Sequence, residues 1–379
     1  MAFRYTFDPA VVAKVLSSTS EGSIPSLGSD ITVVFERKPK KILICSSKCN
    51  DSIKSATLEV FKHIRQTYNC VLMVHDQFLP AIQAETVTLW GKVYQPRTEE
   101  SNDLISLEFD KATSCLLETD DVELIIAIGG DGTILKVLKM FPNVLPPIIG
   151  LSMGSMGYMA EFNMSQLKKT LGAITSEGLT VSRRSLLNVE IYNEVGELIA
   201  RRNALNECVV DRGMSASIAT LDVYYHGSYF TTITGDGLLV STPSGSTAYS
   251  MSAGGPIVHP AVASMLFTVI CPHSISYRPL VLPSDSVLEI VVPEDNRSSV
   301  RLCVDGNYHC NLSHGCYVKV TTSETAFPLA LPNKTCTTDE WNRALKEHLH
   351  WNLRVRQQKL QSPSRIAGLQ TQQRFNTIM

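Results

Sequence analysis

Residues 122–142, VELIIAIGGDGTILKVLKMFP, decide the fold. The apolar run from Val122 to Ile128 has the length and branching of a buried strand, and Ile134, Leu135, Leu138 and Phe141 share one face of a helix that Pro142 limits. Between them Gly129, Gly130, Asp131, Gly132 and Thr133 form a strand-to-helix turn. Adjacent glycines let the backbone take positive φ and approach a ligand with no Cβ in the way, and a helix start aims unpaired N–H groups at anionic oxygens. The turn therefore reads as a phosphate cradle, with Asp131 the one acid beside it. An isolated Gly-Asp at such a place is an ordinary helix N-cap. The uninterrupted glycine run, and its position at the end of a parallel strand where α/β sheets bind ligands, favour a functional carboxylate.

Working outward, Lys41 to Ser46 reads as a buried strand, Ser52 to Thr67 as an amphipathic helix through Ile53, Ala56, Val60, Phe61 and Ile64, and Val71 to His75 as another strand. This is βαβ alternation. Gln83 to Asp120 is polar and irregular, a loop-rich excursion anchored by Trp90, Tyr94 and Pro96, and Pro147 to Leu151 leads into a second glycine-containing turn, Ser152 to Tyr158. Beyond Val181 the pattern becomes alternating, with strands expected over Leu187 to Tyr192, Ala219 to Tyr225, Tyr229 to Thr234, Val287 to Val292, Val300 to Val304 and Tyr317 to Thr322. His226, Gly227 and Ser228 close one hairpin. Thr337 and Glu340 match a capping box that opens a last helix with an apolar seam of Trp341, Leu345, Leu349 and Leu353. The expected organisation is a mobile arm over 1–39, an α/β domain over 40–180, a β-rich, mostly antiparallel domain over 181–336, a helix over 337–356 and a disordered tail over 357–379.

The chain has 379 residues, 44% of them hydrophobic and 18% charged, with a formal net charge of −2, which suits globular domains and gives no signal for nucleic acid. No apolar stretch reaches the length of a membrane span, and the first residues lack the pattern of a secretory signal. A soluble, cytoplasmic protein is expected; Arg4, Lys14 and the early serines leave organellar targeting by the N-terminal arm open. Ten cysteines are scattered without a CxxC pair, several inside apolar runs, which is the usage of reduced, buried thiols. Cys310 and Cys316 with His309 or His314 match no structural-zinc spacing.

Three further clusters stand out. Asn206 and Glu207 interrupt the strand-like run from Ala204 to Val210, and an amide with a carboxylate supplies the donor and acceptors that grip ribose hydroxyls or a base edge. Gly235 to Ser250 runs from an acid-glycine pair through a short buried strand into a hydroxyl-rich turn almost free of bulky side chains until Tyr249, which could border a base. Asp305, Gly306 and Asn307 read by default as a hairpin turn. A Walker loop, a nucleophile elbow and the GxGxxG dinucleotide fingerprint are absent.

At these clusters the sequence resembles the NAD kinases. The family's Gly-Gly-Asp-Gly-Thr stands at Gly129 to Thr133, its Asn-Glu pair at Asn206 and Glu207, and its Asp-Gly…Thr-Pro-Thr-Gly-Ser-Thr-Ala-Tyr block at Asp236 to Tyr249, with Ser244 in place of a threonine. Cys271 to Leu282, with Pro272, His273, Arg278 and Pro279, is similar to the eukaryotic members. Diacylglycerol kinases share the glycine turn alone.

The resemblance implies a Rossmann-like α/β N-terminal domain, a β-rich two-sheet C-terminal domain and an active site between them. It implies ATP- and Mg²⁺-dependent phosphorylation of the adenosine-ribose 2′-hydroxyl of NAD, with NADH left open as a second acceptor. Asp131 would be the general base, Gly129, Gly130, Gly132 and Thr133 the triphosphate cradle, and Mg²⁺ would arrive with ATP without a direct protein ligand. Asp131, Gly132, Met156, Tyr158, Asn206, Glu207, Ser217, Thr234, Asp236, Thr247, Ala248, Tyr249, Ser250, Ser252 and Asn307 would line the NAD site. Members are homo-oligomers, dimers or tetramers, in which a neighbour's β domain completes the acceptor site.

Overall fold

The computed structural model describes residues 30–46, 50–68, 122–141, 145–154, 157–297, 299–332 and 335–353, together with the backbone of three further strands. In chain order the first half holds β1 (Ala13–Leu16), β2 (Asp30–Phe35), β3 (Lys41–Cys45), α1 (Asp51–Thr67), β4 (Val71–His75), β5 (Leu104–Leu107), β6 (Leu124–Ile128), α2 (Asp131–Met140), β7 (Ile148–Leu151) and α3 (Met164–Ala173). The second half holds β8 (Leu179–Tyr192), β9 (Leu198–Ala204), β10 (Glu207–Asp211), β11 (Ala219–Tyr225), β12 (Ser228–Gly235), β13 (Gly237–Ser241), a 3-10 turn (Ser244–Thr247) and the single-turn helix α4 (Tyr249–Ser252). It continues with β14 (Ser264–Ile270), β15 (Leu280–Pro283), β16 (Leu288–Val291), β17 (Val300–Val304), β18 (Asn307–Leu312), β19 (Tyr317–Ala330) and α5 (Thr337–Glu347).

Strands β7, β6, β3, β4 and β5 lie side by side and parallel, in the order that βαβ alternation builds. All five residues of β6 are buried, because helices cover both faces. On one face α1 contributes Ile53, Ala56, Val60 and Ile64, and α3 contributes Leu167 and Leu171; on the other α2 contributes Ile134, Val137 and Leu138. Asn50 caps α1, its side chain accepting from the Ile53 N–H at 2.9 Å.

Strands β8 and β19, each of 14 residues, run antiparallel to one another and carry the sheet onward. Leu329 near the end of β19 pairs parallel with Ile148 of β7, while the other half of β19 pairs with β16. Among the described residues the result is one 13-stranded sheet, and a six-stranded sheet ordered β15-β14-β13-β10-β17-β18 packs on its antiparallel half. Leu187, Val189, Val210, Val240, Phe267 and Val318 belong to the core between these two layers. The α/β-plus-β architecture expected from the sequence is present, and the two parts share a sheet.

Three expectations need correction. Residues 30–35 fall in the stretch expected to be a mobile arm, yet β2 pairs antiparallel with β8 and buries Ile31, Val33 and Phe35. Its period-two alternation is real; the serine, glycine and proline residues just upstream obscure it. The last helix stops at Glu347, where His350 and Asn352 take positive φ, and Leu353 is 71% exposed, so the seam ends before it. Thr337 does not cap that helix: its N–H and hydroxyl bond the Asp30 carboxylate at 2.7 and 2.5 Å, and Asp339 reaches back to the Cys336 N–H at 3.4 Å. The Gln83 to Asp120 excursion, apart from β5, and the tail after Gln357 lie outside the described residues.

Candidate active site

The glycine turn stands at the C-terminal edge of the parallel strands, between the ends of β6 and β7, and the Gly129 N–H donates to the Leu151 carbonyl at 2.9 Å. Gly129 has φ +148, and a Cβ there would stand 2.4 Å from Thr133 Oγ1, so this position requires glycine. Gly130 and Gly132 are different: both are exposed, and a Cβ on either would meet nothing within 4 Å. Packing within the described chain does not ask for glycine at these two positions, which leaves their outer face free for an approaching ligand.

Asp131 is the first helical residue of α2, whose N-cap is Gly130. Its carboxylate does not cap the helix. Oδ2 accepts from the Tyr158 N–H at 2.9 Å, and Oδ1 from the N–H groups of Met159 and Ala160 at 3.0 and 3.2 Å. Each carboxylate oxygen offers two lone pairs, so Oδ2 keeps one uncommitted. Gly157 makes this clasp feasible, because a Cβ there would lie 2.2 Å from Asp131 Oδ1.

Across the cleft, the turn from Leu205 to Glu207 is held from three sides. Asp305, buried at the β17–β18 turn, accepts the N–H groups of Leu205, Asn206 and Glu207 at 2.9, 2.7 and 3.2 Å. Thr242 donates its N–H to the Asn206 carbonyl at 2.9 Å, and its Oγ1 accepts from Gly245 N–H at 3.0 Å. A Cβ on Gly245 would stand 2.1 Å from the Asn206 carbonyl oxygen, so the hydroxyl-rich segment lies directly on the Asn206 backbone. Burial, then the Asp305 charge, push the Glu207 carboxyl up to about 7, opposed by the Tyr249 main-chain N–H, while Glu207 Oε2 is buried without a hydrogen-bond partner. An orphaned buried acceptor of this kind awaits a donor.

A cleft brings Asp131, Tyr158, Asn206, Thr247 and Ala248 together, and α5 closes it with Glu340, Trp341 and Ala344. Arg184 and Glu161 form its inner wall; burial pushes the Glu161 carboxyl up to about 9, its partner Glu340 is drawn down, and Arg343 reaches Glu161 at 3.3 Å and contacts Glu340. His348, just past α5, sets its ring edge-on to Tyr158 at 5.8 Å.

The remaining residues expected at the dinucleotide site do not all meet here. Strands β10 and β13 pair Glu207 with Ser241 at one end and Asp211 with Gly237 at the other, a separation of roughly 13 Å over four residues. At the far end Asp236 is paired with Arg212 at 2.7 Å, Arg212 also reaches the Ser215 carbonyl beside Ser217, and Thr234 accepts from the His273 N–H at 3.0 Å. Tyr249 is 42% exposed within the field of Asp211, Asp236 and Arg301. Ser252 and Asn307 are exposed, the latter folding its amide onto the Asp305 carbonyl at 2.7 Å. Ser250 is fully buried, its hydroxyl on Thr268 at 3.3 Å. Met156 lies outside the described residues. Gly157, Arg184, Glu161 and the α5 residues were not singled out from sequence, because their place in the cleft depends on distant partners.

A parallel sheet with a glycine turn at its C-terminal edge, facing an Asn-Glu turn of a two-sheet β domain across a cleft, defines a two-domain class built around that turn. Residues 35–179 match the model of the ATP-NAD kinase N-terminal domain, and residues 205–331 that of the ATP-NAD kinase C-terminal domain. The chain is 31% identical over 287 residues to an NAD kinase of Trichlorobacter lovleyi, covering 71% of this chain and 99% of that protein. It belongs to the NAD kinase family. It is 33% identical over 357 residues to a probable chloroplastic NAD kinase 2 of Oryza sativa, covering 92% of this chain and 34% of the rice protein, so it spans about a third of that larger relative. Among solved structures, a yeast NADH kinase complexed with NADH superposes with a TM-score of 0.76 at 26% identity, covering 92% of this chain and 96% of that one.

Proposed function

We propose that the chain is an NAD kinase, transferring the terminal phosphoryl group of ATP to the adenosine-ribose 2′-hydroxyl of NAD. The observation that carries this reading is the position of Asp131: fixed by three main-chain N–H groups beside the open face of the glycine turn, in one cleft with Asn206, Thr247 and Ala248. In phosphoryl transfer most of the barrier falls through in-line positioning and charge neutralisation, and the acceptor proton leaves late. The 2′-oxygen attacks the terminal phosphorus, the bond to the ADP oxygen breaks, and the proton passes to Asp131 Oδ2, the oxygen with a free lone pair. Glu207 Oε2, buried and unpartnered, accepts a hydroxyl of the dinucleotide, and Tyr158 borders its base.

Among the described residues no three His, Cys, Asp or Glu side chains converge on a point. Magnesium would arrive with ATP, held by phosphate oxygens and water, and would neutralise the phosphate charge. No described helix is long and apolar enough to cross a membrane. We infer that the chain acts as a homo-oligomer whose neighbouring β domain meets the Tyr249 and Asp236 end of the acceptor site, and that it is cytoplasmic unless residues 1–39 direct it to an organelle. Incubation of purified protein with MgATP and either NAD or NADH, followed by assay for NADP or NADPH, tests the reaction; failure to form either product overturns it. Size-exclusion chromatography with light scattering tests the assembly, and a monomer at all concentrations refutes it.

A further inference from the structure

The Asp305-Gly306-Asn307 turn does more than join two strands. Asp305 and Gly306 take φ +47 and +69, the pair of left-handed residues that a two-residue hairpin needs. Asparagine or glycine satisfies that geometry equally well, so the turn alone does not call for a buried carboxylate. Asp305 nonetheless is 7% exposed and turns both oxygens on one neighbouring segment: Oδ2 accepts from Leu205 N–H at 2.9 Å, and Oδ1 from Asn206 and Glu207 N–H at 2.7 and 3.2 Å. Its own N–H returns to the Glu207 carbonyl at 2.9 Å.

We propose that Asp305 is the positioning residue of the acceptor site, clasping the main chain of residues 205–207 so that Asn206 faces the cleft and Glu207 presents an unpartnered carboxylate oxygen. This rests on the kinase reading above for the identity of the acceptor, a dinucleotide ribose. The clasp is charge-assisted three times over, and it joins the Thr242 and Gly245 contacts in fixing two adjacent side chains. Asp305 also sets the field around Glu207. The charged and titratable groups nearby are Lys139 on α2, with Lys136 one turn earlier, and Cys208 on β10, while Tyr249 on α4 donates its main-chain N–H to Glu207. Burial raises the Asp305 carboxyl above its usual range, opposed by the three N–H donors and then by Lys139, and the charge of Asp305 adds to burial in pushing the Glu207 carboxyl up to about 7.

The test is NAD affinity by calorimetry from about pH 6 to about pH 8.5 for the wild type, Glu207→Gln, Asp305→Asn and the double variant. Wild-type binding should strengthen as pH rises through about 7, since the Glu207 anion is the better acceptor. Glu207→Gln should flatten that rise. Asp305→Asn should weaken high-pH binding about tenfold and move the rise to lower pH, and its loss should not add in full to that of Glu207→Gln. A purely structural Asp305 would leave the pH midpoint in place, and that result, or full additivity, overturns the proposal. If Asp305→Asn does not fold, a wild-type curve unchanged by Glu207→Gln overturns it instead. Absence of NAD binding by the wild type at any pH refutes the kinase reading itself, whereas bound NAD with an unmoved midpoint refutes the role of Asp305 alone.

Discussion

Asp131 occupies a helix start without capping it, and the three N–H groups of residues 158–160 hold the carboxylate at the mouth of the cleft. Asp131→Asn keeps the volume and removes the proton acceptor; turnover should fall at least about hundredfold with NAD affinity little changed, as steady-state kinetics alongside calorimetry would show. Retention of the full rate would remove Asp131 as base. Gly157→Ala places a methyl group against Asp131 Oδ1, where the structure leaves 2.2 Å, so the clasp must open. Turnover should drop about tenfold or more while the melting temperature holds, because residue 157 sits in a half-buried loop. The place of Asp131 was legible in the sequence because it is set locally: glycines, a strand before it, a helix after it. Gly157 carries no local mark, and Asp305 only that of a hairpin turn. Each matters through a carboxylate or a main-chain segment far along the chain, 98 positions away for the bond from Glu207 N–H to Asp305.

Among the elements, α1 and α2 could be placed from periodicity, since each buries one continuous face, and β6 from its continuous apolar run, since both its faces are covered. The start of α5 was read at Thr337, where the structure has it, but for the wrong reason, because that residue answers to Asp30 of β2. That helix is anchored by buried charge. Glu161 and Glu340 are each 4% exposed, and burial beside Glu340 holds Glu161 protonated up to about pH 9. A carboxyl whose folded value lies above its unfolded one costs stability as pH rises from the unfolded value toward the folded one, because the unfolded chain gives up its proton first. Glu161→Gln should therefore raise the melting temperature between about pH 5 and about pH 9, most at the alkaline end, and flatten its fall with pH. Calorimetric melts across that range decide it: equal slopes for the two proteins would show that Glu161 is ionised in the folded state.

Across the whole molecule, the two domains share one sheet. Strands β8 and β19 supply residues to the core around α2, through Leu186, Phe327 and Leu329, and to the core of the β sandwich, through Leu187, Val189, Val318 and Val320. Domains joined by a flexible linker commonly melt in separate steps; here the shared strands should couple them, and differential scanning calorimetry should record a single transition. Two resolved peaks would show that the junction in β8 and β19 yields independently. The change from βαβ alternation to antiparallel patterning near Val181 was readable, a few residues before β8 passes from one core to the other between Leu186 and Leu187. The continuity was not, since no residue of β8 signals that both its halves belong to the same ladder.

The parallel pairing of Leu329 with Ile148 also bears on how the chain is made. The sheet beneath the glycine turn lacks an interior strand until residue 330 has been synthesised, and everything between β8 and β19 must first be accommodated as one long excursion. A nascent chain stalled on the ribosome anywhere short of β19 would expose the free edge of β7, and so depend on chaperones through most of its synthesis.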